Sequence, residues 1–155
     1  MVEPNGSDGP HYKQLRQENH AIPSAGLACG GFLVYCWCMP RALKPCPSSP
    51  NCVSSLAEED ANHRVPPLGW TGGLDQAKAR LRQAVLAAGH ATFVVEEGTY
   101  WRIEFRSRVF RFVDDVEFLF DAQTRLIHVR SASRRGHSDL GVNRKRVEMI
   151  RSLFQ

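Results

Sequence analysis

The chain has 155 residues, of which 43% are hydrophobic and 23% are charged, and its formal net charge is +4. This composition excludes a disordered chain and fits one globular domain with spare length for a tail. The charge is uneven, because residues 125–155 hold eight Arg or Lys residues against two acids. Such a basic end suits phosphate, carboxylate or lipid head groups, although charge runs most often form a solvated face.

Two segments precede the predicted domain. Residues 1–20 are polar and rich in turn formers, which predicts a flexible tail, and residues 21–39 contain no charged residue. The apolar segment, at 21–40, resembles a signal or membrane anchor, although Pro23, Ser24 and three glycines dilute its hydrophobicity. We therefore expect a membrane-anchored or exported protein. If translation started at Met39 instead, the product would have no targeting segment and would be cytoplasmic.

Cys46 and Cys52 bracket the segment CPSSPNC, whose two prolines and asparagine favour a tight loop. A disulfide between them fits this loop and would require an oxidising compartment. The alternative is a zinc site with His63 as a third ligand, but the cysteine spacing is not that of a zinc finger. We expect neither a metal nor a cofactor.

The remaining pattern predicts a single α+β domain over residues 44–155. Apolar residues recur at helical spacing from about 74 to 88, and Gly89 can end that helix. A four-stranded antiparallel meander follows, with strands at about 91–96, 100–106, 109–121 and 124–133. A last amphipathic helix, from about 143 to 154, is expected to pack with the first on one face of the sheet.

The short turns also predict a strand register. If Arg106 lies opposite Val109, and Asp121 opposite Thr124, apolar residues face apolar residues throughout. Asp114 then lies on the apolar face, between Trp101 and Ser131, whose N–H and O–H groups can donate to its carboxylate. We predict a structural role for these three residues.

On the opposite face the same register predicts three complementary pairs. They are Asp115 with Arg130, Glu117 with His128, and Glu104 with Arg111. Exposed pairs of this kind mainly set register and solubility.

The predicted ligand-binding residues lie in the last strand, in the segment after it or in the last helix, for which Asp139 and Asn143 are candidate caps. They are Arg130, Arg134, Asp139, Asn143, Arg144 and Arg146. Cations near a helix N-terminus oppose the helix dipole, so these arginines need carboxylate partners or a bound anion. Asp114, Asp115 and Asp139 are the candidate partners, and we favour internal pairing over an external anion.

Three segments, CPSSPNCVSS, FVDDVEF and VRSASRRGHSDLGVNRKRVEMIR, occur in this order. Together they resemble the DUF1499 family of small domains of unknown function, over residues 44–155. The resemblance implies that a membrane segment or signal often precedes the domain. It implies no reaction.

We therefore expect a non-catalytic binding or structural accessory domain, whose Asp and Arg residues hold an anionic small molecule or a lipid head group. Residues 21–39 would tether it to a membrane. The alternative is a small hydrolase or isomerase that uses Asp114 or Asp115 with His137, although no nucleophile motif accompanies them. Nucleic acid is not an expected partner, because the basic end lacks an exposed aromatic series for stacking.

Overall fold

A computed structural model describes residues 41–107 and 112–155. The predicted tail 1–20, the apolar segment 21–40 and the alternative start at Met39 lie outside the described residues. In the ranges that are described, no helix combines the length and the hydropathy needed to cross a bilayer.

The described chain forms two helices and an antiparallel sheet, which confirms the α+β class. The elements are β1 (Cys52–Ser54), β2 (Leu68–Gly69), α1 (Leu74–Ala87), β3 (Ala91–Glu97), β4 (Tyr100–Arg106), β5 (Val113–Asp121), β6 (Leu126–Ser133) and α2 (Val142–Phe154). The strand order is β1-β6-β5-β4-β3, and β2 also pairs with β6. The predicted count of four strands is therefore wrong. The two added strands have three and two residues, too few for an alternating pattern to show in the sequence.

The core lies between the two helices and one face of the sheet. Helix α1 buries Ala77, Leu81, Ala84 and Val85, which lie on one side of the helix. Helix α2 buries Val147, Ile150 and Phe154. The sheet contributes fully buried residues from its three central strands, namely Ile103, Val116, Phe118, Ile127 and Val129. This apolar contact places the N-terminus of α2 beside the end of β6.

Both predicted registers are wrong by an even number of residues. Arg106 lies opposite Val113 rather than Val109, because residues 107–112 connect β4 to β5 where a two-residue turn was expected. Asp121 lies opposite Leu126 rather than Thr124. The Asp121 carboxylate accepts hydrogen bonds from the backbone N–H groups of residues 123 and 124, which stabilises a longer turn.

An even shift keeps every side chain on its predicted face but changes its neighbours. Asp114 remains on the helix-covered face, where it lies opposite Phe105 and Ser133 instead of Trp101 and Ser131. Trp101 lies opposite Phe118, and its ring centroid is 5.1 Å from that of Phe120. The prediction that Trp101 and Ser131 flank Asp114 is therefore wrong.

Residues 41–46 run across the second face of the sheet. Arg41 pairs with Glu97 and lies 5.2 Å above the ring of Tyr100 in β4, whereas Cys46 is joined to Cys52 in β1. Three strand spacings separate β4 from β1, about 14 Å, which an extended segment of this length can span. The segment covers part of the face that the sequence suggested was wetter, and Tyr100 there is only 7% exposed.

The predicted disulfide between Cys46 and Cys52 is present, with an S–S distance of 1.97 Å. The His63 ring contacts Asp60 and the backbone of Ser49 instead of either sulfur. The zinc alternative for these three residues is therefore wrong.

Candidate functional site

Asp114 forms a buried ion pair with Arg146. Its Oδ2 atom lies 2.5 Å from Nη2 of Arg146, and the two side chains are 7% and 11% exposed. The guanidinium also lies 4.9 Å above the ring of Phe105, the residue opposite Asp114. The Asp114 carboxylate on the apolar face is thus paired with the Arg146 guanidinium from α2. This pairing reduces the free-energy cost of burying either charge.

Asn143 connects this ion pair to β6. The side chain is fully buried, and its Oδ1 accepts hydrogen bonds from Ser131 Oγ at 2.5 Å and Arg146 Nη1 at 2.9 Å. Its Nδ2 donates to Ser133 Oγ at 2.9 Å and to the carbonyl oxygen of Asn51 at 3.0 Å. Because both ends of the amide are occupied by the protein, Asn143 fixes the start of α2 against the sheet.

Asn51, which the sequence indicates only as a turn former, extends the network to the disulfide loop. Its Nδ2 donates to the carbonyl oxygen of Gly136 at 2.5 Å, and its Oδ1 accepts from Ser49 Oγ at 2.8 Å. Its carbonyl oxygen also accepts from the backbone N–H of Ser133. The disulfide loop therefore holds the segment after β6 in place. We use the term polar network for Asn51, Asp114, Ser131, Ser133, Asn143 and Arg146.

His63 fixes the other side of the disulfide loop. The ring is 6% exposed, with Nδ1 2.5 Å from Asp60 Oδ2 and Nε2 3.1 Å from the carbonyl oxygen of Ser49. Two acceptors can both be satisfied only by the doubly protonated ring. The hydrogen bond to Asp60 accordingly raises the pKa of His63 above its ordinary value.

This raised pKa predicts that stability decreases as the pH rises. The contribution of His63 is fully present below its unfolded pKa of about 6.5, and it is lost as the pH passes through the higher folded pKa. We expect urea midpoints to fall across this range in the parent protein and to fall less in His63→Gln and Asp60→Asn variants. If the urea midpoint fell with pH equally in the parent and in both variants, His63 could not be the source of this pH dependence.

The second face carries a separate set of ion pairs. Glu117 accepts hydrogen bonds from Tyr100 Oη at 2.6 Å and from Arg130 Nη1 at 2.9 Å. Burial, followed by the bond to Glu117, raises the pKa of Tyr100, which keeps its hydroxyl protonated as a donor. Arg134 donates through Nε to Asp115 at 2.7 Å and through Nη2 to Glu104. These six residues form two sets of three, one around Glu117 and one around Arg134, and each set is held by its own hydrogen bonds.

The predicted pairing of Asp115 with Arg130 is wrong, because the two-residue shift of β6 places Arg130 opposite Glu117. The same shift removes His128 from Glu117 and leaves its Nδ1 3.3 Å from Ser55 Oγ. Arg111, the predicted partner of Glu104, lies outside the described residues.

The four predicted ligand-binding arginines all have intramolecular partners. Arg130 and Arg134 bind the acids of the second face, and Arg146 binds Asp114. Arg144 donates to the backbone carbonyl oxygens of residues 62 and 64. These contacts support internal pairing as the role of these arginines.

A cleft of about 450 Å³ opens beside the polar network. It lies between the β4–β5 connection and the segment from Ser133 to Val142, with Asp114 at its floor and Arg135 in its wall. Apolar side chains also line it, and their exposed fractions are 55% for Phe112, 86% for Leu140 and 45% for Val142. The site is thus an open, largely apolar cleft whose lining also includes three charged residues, Asp114, Arg135 and Asp139.

Of the remaining predicted site residues, Asp139 lines this cleft. Its two carboxylate oxygens accept from the backbone N–H groups of Gly141 and Asn143, so it caps α2 as the sequence suggested. His137 is exposed and is not part of the cleft lining. In residues 41–107 and 112–155, no three His, Cys, Asp or Glu side chains converge to hold a metal ion.

Two helices on one face of an antiparallel sheet, a buried polar network and an adjoining cleft define a small α+β domain. The family model described as protein of unknown function (DUF1499) matches residues 42–154, so the chain belongs to this family, as its motifs suggested. No curated protein matches the chain.

Proposed function

We propose that this chain is a non-catalytic binding domain whose cleft takes an amphiphile with an apolar part and one anionic group. The cleft itself supports this proposal. Its volume of about 450 Å³ is in the usual range for small-molecule sites, and Phe112, Leu140 and Val142 supply apolar contact area. Arg135 makes no ion pair with any residue that the structure describes, so its charge is free for an anion.

The electrostatics of the cleft floor are compatible with such a ligand. Asp114 alone would repel an anion, but Arg146 lies against it and balances its charge. The floor is therefore close to neutral. Asp139 also lines the cleft, but its carboxylate oxygens accept from backbone N–H groups at the start of α2, where the helix dipole offsets its charge. Arg135 is thus the lining group that can attract an anion. This proposal assigns the anion to Arg135 instead of the four arginines that have intramolecular partners.

The geometry gives less support to a hydrolase or isomerase. Asp114 and Asp115 point to opposite faces of the sheet and are bound to Arg146 and Arg134, so they cannot act on one substrate together. His137 makes no hydrogen bond within the described ranges, so no neighbouring group orients its ring as a base.

The same proposal includes attachment to a membrane, or export, through residues 21–39. The disulfide between Cys46 and Cys52 supports an oxidising compartment. Sequencing the N-terminus of the expressed protein tests this part, because a mature start at Met39 would leave the domain cytoplasmic and contradict it.

Binding can be tested by isothermal titration with octyl phosphate below its micelle concentration. We expect saturable binding by the parent and about fivefold weaker binding by Arg135→Gln, in line with the loss of one exposed charge contact. The matched control is Arg125→Gln, which removes an exposed arginine from the β5–β6 turn at the other end of these strands.

The outcomes are distinct. Binding by the parent and by Arg125→Gln, with weaker binding by Arg135→Gln, supports the proposal. Equal affinity for inorganic phosphate or for a neutral octyl glucoside contradicts the amphiphile class, and no binding of octyl phosphate contradicts the cleft as a site.

A further inference from the structure

Leu140 has an exposure and a backbone conformation that folding does not explain. The side chain is 86% exposed, and its φ of 54° places it in the left-handed region, which disfavours residues with a Cβ atom. A leucine here contributes almost no burial and stores backbone strain. Strain at an exposed apolar residue is a reason to look for a binding role.

Other apolar residues lie at the same end of the molecule. Leu140 and Val142 line the cleft from the segment before α2, and Phe112 lines it from the β4–β5 connection. We call these three residues the apolar rim. Each is between 45% and 86% exposed, and they come from two neighbouring chain segments, so together they form one apolar surface.

Positive charge accompanies the apolar rim. Arg135 shares the cleft and makes no ion pair with a residue that the structure describes. Arg106 ends the adjacent strand with its side chain 63% exposed, and its guanidinium lies 3.8 Å from the carboxylate of Glu104. The nearby acids are already engaged, since Asp114 pairs with Arg146 and Asp139 caps α2. Apolar side chains beside an exposed arginine that has no acidic partner among the described residues complement a lipid surface with anionic head groups.

We propose that the apolar rim inserts into an anionic lipid bilayer, with Arg135 at the level of the head groups. This inference rests on the proposed function, because the inserted rim would open the cleft to the lipid and make the bilayer the source of the anionic amphiphile. A bilayer suits the surface better than a protein partner does. Three side chains cover much less than the roughly 800 Å² per partner of a stable protein interface.

A tryptophan at the rim reports insertion directly. In the full chain, Leu140→Trp keeps an exposed apolar side chain at the rim, and Leu153→Trp is the matched control. Leu153 is 49% exposed and lies 11 residues beyond Val142, about 16 Å further along α2. Emission spectra, after subtraction of the parent spectrum, are recorded with phosphatidylcholine vesicles that contain or lack phosphatidylglycerol.

We expect the emission of Leu140→Trp to shift to shorter wavelength only with the anionic vesicles, and that of Leu153→Trp to stay unchanged. No shift in Leu140→Trp, or equal shifts in both variants, would overturn the inference. A shift that occurs without lipid and grows with protein concentration would also overturn the inference, because it would indicate that the rim binds a second copy of the chain. These spectra report the rim itself, whatever residues 21–39 do.

A second variant separates binding from folding. Leu140→Asn removes the apolar side chain but suits the left-handed backbone, so its urea midpoint should equal or exceed that of the parent. We expect it to bind anionic vesicles about tenfold more weakly than the Leu153→Asn control does. Equal vesicle binding by these two variants would contradict insertion. If the parent protein binds octyl phosphate but does not bind anionic vesicles, the proposed function stands and only this inference is contradicted.

Discussion

Replacing Asp114 with asparagine is expected to lower the free energy of unfolding by about 3–5 kcal/mol. The carboxylate is the ionic partner of Arg146, and both side chains are almost completely buried. An amide has no charge, so Arg146 would keep a buried positive charge without its counter-ion. Urea denaturation gives this loss as a lower midpoint, provided that the slope is unchanged.

The neighbouring aspartate is the matched control. Asp115 points to the other face and binds Arg134, whose side chain is 41% exposed, so Asp115→Asn should lose under about 1 kcal/mol. Removing both buried charges, as Asp114→Leu with Arg146→Met, should recover most of the loss, because neither charge is then left unpaired. Similar losses for Asp114→Asn and Asp115→Asn would show that the buried pair has no special role.

The sequence predicts which face each strand residue occupies better than it predicts which residues are neighbours. Apolar residues alternate along β5, and this alternation shows which of its residues share a face. Asp114 was therefore correctly placed on the helix-covered face. Its neighbours depend on the lengths of the turns, and both turns are longer than the assumed two residues. Both predicted registers are therefore off by an even number of residues. The alternation of apolar and polar residues cannot reveal such an error, because an even shift leaves every side chain on the same face.

The polar network shows a second limit of sequence patterns. Asn51 and Gly136 are 85 residues apart, and Asn143 and Asn51 are 92 apart, yet both pairs are hydrogen-bonded. Periodicity reports local structure, so it cannot pair an asparagine in the disulfide loop with a carbonyl beyond β6. Asn143 was noticed as a helix cap or ligand residue, and its complete burial follows only once α2 packs on β6.

The network and the cleft are adjacent for a physical reason. Gly136 and Ser133 lie in the cleft wall, and Asn51 fixes both of them through hydrogen bonds. A wall held in this way changes little when a ligand arrives, which lowers the entropy lost on binding. If the cleft binds a ligand as proposed, variants of the network should weaken binding indirectly, through a less ordered wall, whereas Arg135→Gln should weaken it directly.

Replacing Asn143 with alanine is expected to lower the free energy of unfolding by about 4 kcal/mol, since several buried groups lose their partner at once. Ser131 Oγ and Arg146 Nη1 lose their acceptor, and the carbonyl oxygen of Asn51 loses a donor. Denaturation by urea measures the loss. Asn62→Ala is the control, because Asn62 is exposed and uses its backbone carbonyl to bind Arg144, so we expect a change of under about 0.5 kcal/mol.

A double-variant cycle distinguishes a network from a set of independent bonds. Ser131→Ala removes the hydroxyl that donates to Asn143, so part of its effect is already present in Asn143→Ala. The combined variant should therefore be more stable than the sum of the single losses predicts, by about 1 kcal/mol or more. Additive losses would mean that Asn143 and Ser131 act separately. Coupling of this size would instead show that the start of α2 and the end of β6 are held as one unit beside the cleft.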